Sequence, residues 1–121
     1  HGDTLWPVYN RQKHDVGEDA LRVTGDIILI EGNWLLLPDA PWNEAQRLAD
    51  ATLFLRADAK DLKGRLIARK MKGGATREAA VAFFDASDGL NVEHVLKESV
   101  AAEETWTMLA DGSFQASSVK R

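Results

Sequence analysis

A chain of 121 residues holds one modest domain and is too short for two. Hydrophobic residues at 45% and charged residues at 28% give an ordinary globular balance, which excludes a disordered chain as the default. The net charge of -4 argues against a general nucleic-acid binder, which draws on a basic excess, but leaves room for a local basic patch for phosphates.

In chain order, residues 1–22 are polar and irregular, with Pro7, Tyr9 and a mixed-charge run from Arg11 to Asp15. They read as a functional loop or entry segment. Residues 26–31 form a short β-branched apolar run between Gly25 and Gly32, the pattern of a strand buried on both faces of a parallel sheet. Trp34 to Leu37 continues apolar until Pro38 and Pro41 break the chain, and Pro41 suits the first position of a helix reaching about Asp50. Residues 51–57 read as a second buried strand. Asp58 is a good N-cap for a helix to Lys72, with Asp61 in its first turn and Gly73-Gly74 as its stop. Thr76 caps the next helix, which carries Ala79, Ala80, Phe83 and Phe84. Ser87-Asp88-Gly89 reads as a turn, and a further helix covers about 91–102. Asp111-Gly112 predicts a type I′ hairpin between two short strands.

Alternating strands and helices predict an α/β fold, with parallel strands flanked by helices. Function in such sheets sits at the carboxyl ends of the strands, which points to Glu31 and to the segment after Ala57. The four tryptophans, Trp6, Trp34, Trp42 and Trp106, are expected in the core or at its margin. His94 reads as a surface or packing residue.

No apolar run approaches the roughly 18–20 residues that span a bilayer, and the opening residues lack a signal-peptide pattern. With no cysteine there is no disulfide framework and no thiolate metal site. These features predict a cytoplasmic chain with no membrane partner and no nucleic-acid partner.

Four groups carry candidate chemistry. Glu31 is a hard oxygen ligand able to hold Mg²⁺ or its water shell; the alternative is a solvated acid at a strand end. Arg65, Arg69 and Lys72 fall within one narrow arc of the helix ending at Gly73-Gly74. A cationic helix end on a hinge suits a lid that closes on nucleotide phosphates; the alternative is a solvated basic face that complements the helix dipole. Tyr9, Arg11 and His14 crowd an aromatic ring and donors into one polar stretch suited to a polar substrate. Asp88 and Asn91 either cap a turn or line a ligand pocket.

The stretches Val8-Tyr9-Asn10-Arg11-Gln12-Lys13-His14-Asp15, Glu31-Gly32-Asn33-Trp34-Leu35-Leu36-Leu37, Leu53-Phe54-Leu55-Arg56-Ala57-Asp58, Arg65-Leu66-Ile67-Ala68-Arg69-Lys70 and Ser87-Asp88-Gly89-Leu90-Asn91 occur in one order. In that order they resemble the P-loop kinases of the uridine kinase, phosphoribulokinase and pantothenate kinase group. The resemblance covers nearly the whole chain and corresponds to the C-terminal half of such a kinase. It implies an ATP-dependent, Mg²⁺-dependent transfer of a phosphoryl group to a hydroxyl of a nucleoside, pantothenate or sugar. It implies that Glu31 serves Mg²⁺, and that Arg65 and Arg69, with Lys72 beside them, serve ATP phosphates. It implies further that Tyr9, His14 and Arg11 contact the acceptor. Asp88 and Asn91 belong to a motif of the subgroup without an assigned role. A homodimer is common in this group, so a second copy is a candidate partner.

The resemblance divides the chain into an acceptor-loop region (1–24), two core strands with a helix between (26–57), a lid region (58–86) and a C-terminal helix and hairpin (87–121). The group's phosphate loop, Gly-x-x-x-x-Gly-Lys-Ser/Thr, occurs nowhere in the sequence, and its general-base Asp is expected upstream. The expectation is therefore a piece of a larger kinase, preceded by on the order of 80–100 further residues, and inactive or nearly so by itself. Two non-catalytic readings stand beside it: a remnant that binds a partner or a phosphorylated ligand, and a regulatory module of a sugar transport system.

Overall fold

Asn10 turns the chain where a polar loop is expected. Its side-chain carbonyl accepts the backbone N–H groups of Gln12 at 2.9 Å and Lys13 at 3.1 Å, the local bonding that makes asparagine a turn residue. His14, at φ 52°, completes the reversal. The flanking segments are strands β1 (Thr4–Asn10) and β2 (Asp15–Val23), paired antiparallel from Thr4↔Val23 to Asn10↔Asp15. The register shifts between Pro7 and Tyr9. Pro7 is tolerated because each strand of a two-stranded ribbon has an outer edge that needs no N–H partner. The irregular region of the sequence reading is thus a β-hairpin. The computed structural model describes residues 4–118. They fall into two compact units, His1–Glu31 and Gly32–Arg121.

The first unit corrects a second expectation. Residues 27–30 form no strand, and they are exposed, Ile27 at 86% and Leu29 at 94%. A β-branched run supplies strand propensity, but a strand exists only when a neighbouring backbone takes up its N–H and C=O groups. No such neighbour lies among the described residues. Trp6 is also exposed, against the expectation of a core position.

In the second unit, a turn closed by Leu37 N–H to Trp34 O at 2.9 Å leads to α1 (Trp42–Leu48), with Pro41 at its N-cap. The Gln46 amide on α1 donates to the carbonyls of Leu35 at 2.9 Å and Leu37 at 2.8 Å, tying the helix to the turn. Trp34 and Trp42 meet edge to face, 5.9 Å between centroids, at the margin of the fold. Strand β3 (Leu53–Arg56) pairs parallel with β4 (Glu104–Met108), which pairs antiparallel with β5 (Phe114–Ser118). β3 is not buried on both faces as predicted: Leu53 and Leu55 are exposed. A parallel strand is buried when helices cover both faces of its sheet, and β3 has a single strand neighbour among the described residues.

Between β3 and β4 lies a helical layer whose boundaries follow the sequence signals. Asp58 accepts the Lys60 N–H at 2.8 Å and opens α2 (Ala59–Lys72), which Gly73 closes, with Gly74 at φ 102°. Thr76 accepts the Ala79 N–H at 3.2 Å and opens α3 (Arg77–Phe83). The predicted turn at Ser87-Asp88-Gly89 is instead helical. A π turn (Phe84–Asp88), with the Gly89 N–H bonded back to Phe84 O, runs directly into α4 (Gly89–Glu98). α2 packs on α3, on the π turn and on α4. Ile67, Ala80 and Phe84 form the buried cluster, with Leu66, Ala75 and Val81 against it. Ala80 and Phe84 are four residues apart, so both project from one face of the α3 segment.

The β4–β5 connection differs in type from the prediction. A type I′ turn needs positive φ at both central residues, and only Gly112, at φ 87°, has it. The bonds Gly112 N–H to Leu109 O (2.9 Å) and Leu109 N–H to Ser113 O (2.8 Å) close a three-residue loop with glycine in the left-handed position. Among the described residues, no helix is long and apolar enough to cross a membrane.

Candidate functional site

The two units each carry part of the predicted constellation. In the first, Tyr9 is the penultimate residue of β1, opposite Val16, and is exposed, while Arg11 and His14 sit in the turn that Asn10 organises. The hairpin thus presents these three residues on one short, locally bonded tip. Glu31 is exposed in irregular chain, not at a strand end, because the predicted strand does not form. Among the described residues, no group of three or more potential His, Cys, Asp or Glu metal ligands is assembled. Glu31 thus offers a single carboxylate.

In the second unit, α2 separates the residues the arc had grouped. Arg65 reaches toward the β4–β5 turn, where a methyl on Gly112 would stand 3.9 Å from its Nη2. Lys72 is exposed in the last turn of α2. Arg69 opens onto a cleft of about 340 Å³ whose other walls include Lys70, Phe83 and Asp88. Two positions from separate sequence motifs, Arg69 and Asp88, therefore share one cavity. Asp88 is half-buried and helical, at φ -61° and ψ -38°, and its carboxylate makes no cap bond. The capping reading of Asp88 is overturned by that geometry. Asn91 lies in the first turn of α4 and is exposed.

Lys70 and Phe83 are the cleft residues the sequence reading missed as site members. The Lys70 ammonium sits 3.4 Å from the Phe83 ring centroid, a cation–π contact that holds its charge at the wall. Its only sequence signal was its place beside Arg69. Two turns earlier on α2, Lys63 contacts Asp85 at 3.4 Å and lies 5.1 Å from the Phe84 ring centroid. Both partners of that pair are exposed, so it adds only about 0–1 kcal/mol to stability. A larger groove of about 590 Å³, lined by Lys60, Lys63, Phe84 and Leu96, carries none of the predicted site residues.

Asp111 is held below the usual carboxylate range, first by the Ser113 hydroxyl at 2.6 Å and then by the Ser113 N–H at 2.9 Å. It belongs to the β4–β5 turn and not to the cleft.

No protein-family profile matches the chain. It is 47% identical over 117 residues to the uncharacterized protein YggC of Escherichia coli, covering 97% of this chain and 49% of that one. It is 33% identical over 79 residues to an inferred uridine kinase of Schizosaccharomyces pombe, covering 64% of this chain and 34% of that one. The crystal structure of an inferred fructose transport system kinase from Silicibacter superposes with a TM-score of 0.79 at 26% identity, over 86% of this chain and 52% of that one. The chain spans about half, or less, of the length of these proteins. Over that part, it is partially homologous to the inferred uridine kinase and the inferred fructose transport system kinase.

Proposed function

We propose that the chain is part of an ATP-dependent kinase that phosphorylates a hydroxyl of a small molecule such as a nucleoside, pantothenate or a sugar. The observation that carries the reading is the superposition on an inferred transport kinase over 86% of the chain. When bound, ATP supplies the phosphoryl group and Mg²⁺ neutralises charge that develops during transfer.

The residues present fit part of that task. Arg69 faces a cleft with a second cation, Lys70, beside it, and a guanidinium grips phosphate oxygens bidentately. Arg65 and Lys72 add positive charge along α2. Glu31 offers Mg²⁺ one carboxylate, which suits an ion that keeps several waters and takes its other ligands from phosphates. Tyr9, Arg11 and His14 supply a ring and donors for the acceptor. The phosphate-loop cradle and a general base are not among these residues, so binding and orientation are the contributions assigned to this chain. The relevant protein is soluble in the cytoplasm on this reading.

The test is calorimetric titration of the protein expressed from its full reading frame with a non-hydrolysable ATP analogue, with and without Mg²⁺, beside its Glu31→Ala variant. Mg²⁺-dependent binding weakened by Glu31→Ala is the expected result. Absence of nucleotide binding would overturn the kinase reading in favour of a module that binds a partner or a phosphorylated ligand.

A further inference from the structure

The cleft at the end of α2 pairs opposite charges that do not neutralise each other. Arg69 and Asp88 both line it, yet no ion pair joins them and neither makes a side-chain hydrogen bond among the described residues. Buried polar groups normally find a partner, and Asp88 is partly buried. Asp88 is kept from the usual one, the N-cap bond, because it lies within continuous helix. Asp88 closes the π turn, in which the Gly89 N–H bonds back to Phe84 O, and it lines the same cleft as Arg69 and Phe83.

The apolar part of the lining comes from Leu66, Ala75 and Phe83. The Lys70 ammonium, pinned over the Phe83 ring, adds a second positive charge on the Arg69 side. A volume of about 340 Å³ is at the low end for ligand pockets, which run from about 300 to 1,000 Å³. The ligand that completes this arrangement is small. It is anionic at one end for Arg69 and Lys70, donates a hydrogen bond at the other for Asp88, and has a short carbon skeleton between. A simple anion would leave Asp88 unsatisfied, and a simple cation would face Arg69.

We propose that this cleft binds a small phosphate monoester bearing a free hydroxyl, with its phosphate on Arg69 and its hydroxyl donating to Asp88. The inference rests on the kinase reading only in taking such an ester to be the product of hydroxyl phosphorylation.

The test is heteronuclear NMR titration of the 121-residue chain with glycerol 3-phosphate, and separately with inorganic phosphate, without ATP or Mg²⁺. Glycerol 3-phosphate should shift the Arg69 side chain and the amides of Gly73, Ala75 and Asp88, and bind about tenfold more tightly than inorganic phosphate, the scale of one hydrogen bond to a charged group. Asp88→Asn should bring the two affinities close together, and Arg69→Gln should abolish both. Lys63→Gln, which removes a cation outside the cleft, should leave the ratio unchanged. The proposal is overturned if wild type shows no preference for the ester, if Asp88→Asn preserves it, or if Lys63→Gln erases it. Ester selectivity in a protein that binds no ATP would sink the kinase reading alone. Mg²⁺-dependent ATP binding with no ester selectivity would sink the cleft alone.

Discussion

Alanine at position 89 sets backbone energetics against packing. Gly89 has ordinary helical angles, φ -65° and ψ -39°, so on propensity alone an alanine there stabilises by about 0.5–1 kcal/mol. Its Cβ, however, would stand 2.8 Å from Phe84 Cε1, 3.2 Å from Phe84 Cζ and 3.0 Å from Phe84 O. The ring cannot swing aside cheaply, because Phe84 is only 9% exposed and packs on Ile67 and Ala80. The carbonyl is fixed by the π-turn bond to the Gly89 N–H. Overpacking of a filled core costs about 1–3 kcal/mol, which leaves a net loss on the order of 1 kcal/mol. Gly64, within α2, is the internal control: nothing lies within 4 Å of its added Cβ, so Gly64→Ala should gain about 0.5–1 kcal/mol. Urea unfolding followed by circular dichroism at the helical band measures both variants, since the helices all lie in one unit. If Gly89→Ala stabilises as Gly64→Ala does, Phe84 does not occupy the space beside Gly89 and the π turn as described is wrong.

Phe84→Ala removes the largest member of the buried cluster and should cost about 3–5 kcal/mol, while Phe83→Ala, on the exposed side, should cost under about 1 kcal/mol in the same assay. Thr76→Ala and Asp58→Ala each delete an N-cap bond and should each cost about 1 kcal/mol, additively, because they cap different helices. Asp111 has a folded acidity below its ordinary value of 3.8, so its contribution to stability is complete above that value and fades as pH falls through the lower folded value. Carbon-detected NMR titration of Ser113→Ala should show the Asp111 midpoint rising toward 3.8, because the leading cause of its depression is the Ser113 hydroxyl. An unchanged midpoint would remove that hydroxyl as the cause.

Signals that act through local bonding were legible in the sequence. Asp58, Thr76 and Gly73-Gly74 bound their helices as read, because caps and stops satisfy backbone groups within a few residues. The parallel strand after Asp50 was found, and so were the two strands around Asp111-Gly112. What failed depended on distant neighbours. Residues 27–30 have strand composition and no paired strand, and Leu53 and Leu55 have core composition and lie exposed. Composition reports what a segment can bury, and the rest of the chain decides whether it does. The hairpin of β1 and β2 was missed for the opposite reason: its turn rests on one Asn10 side chain, amid charges that resemble loop.

For the site, residue type was readable and juxtaposition was not. Arg69 and Asp88 were each singled out, but on separate grounds, and Arg65 was grouped with Arg69 because a helical wheel places them on one arc. The wheel is blind to what each arginine meets, which is the β4–β5 turn for Arg65 and the cleft for Arg69. It also fails across the π turn. Carried from Thr76 at a constant 100° per residue, the phase of Asp88 is wrong by about one residue, because Gly89 bonds to Phe84 and not to Asp85. Of the two sequence readings of Asp88, a cap or turn residue and a pocket residue, the helical path leaves the second, on the wall of the Arg69 cleft. The signal that allows it is Gly89 itself, five residues after Phe84, since any side chain there would collide with the ring that the turn is folded around.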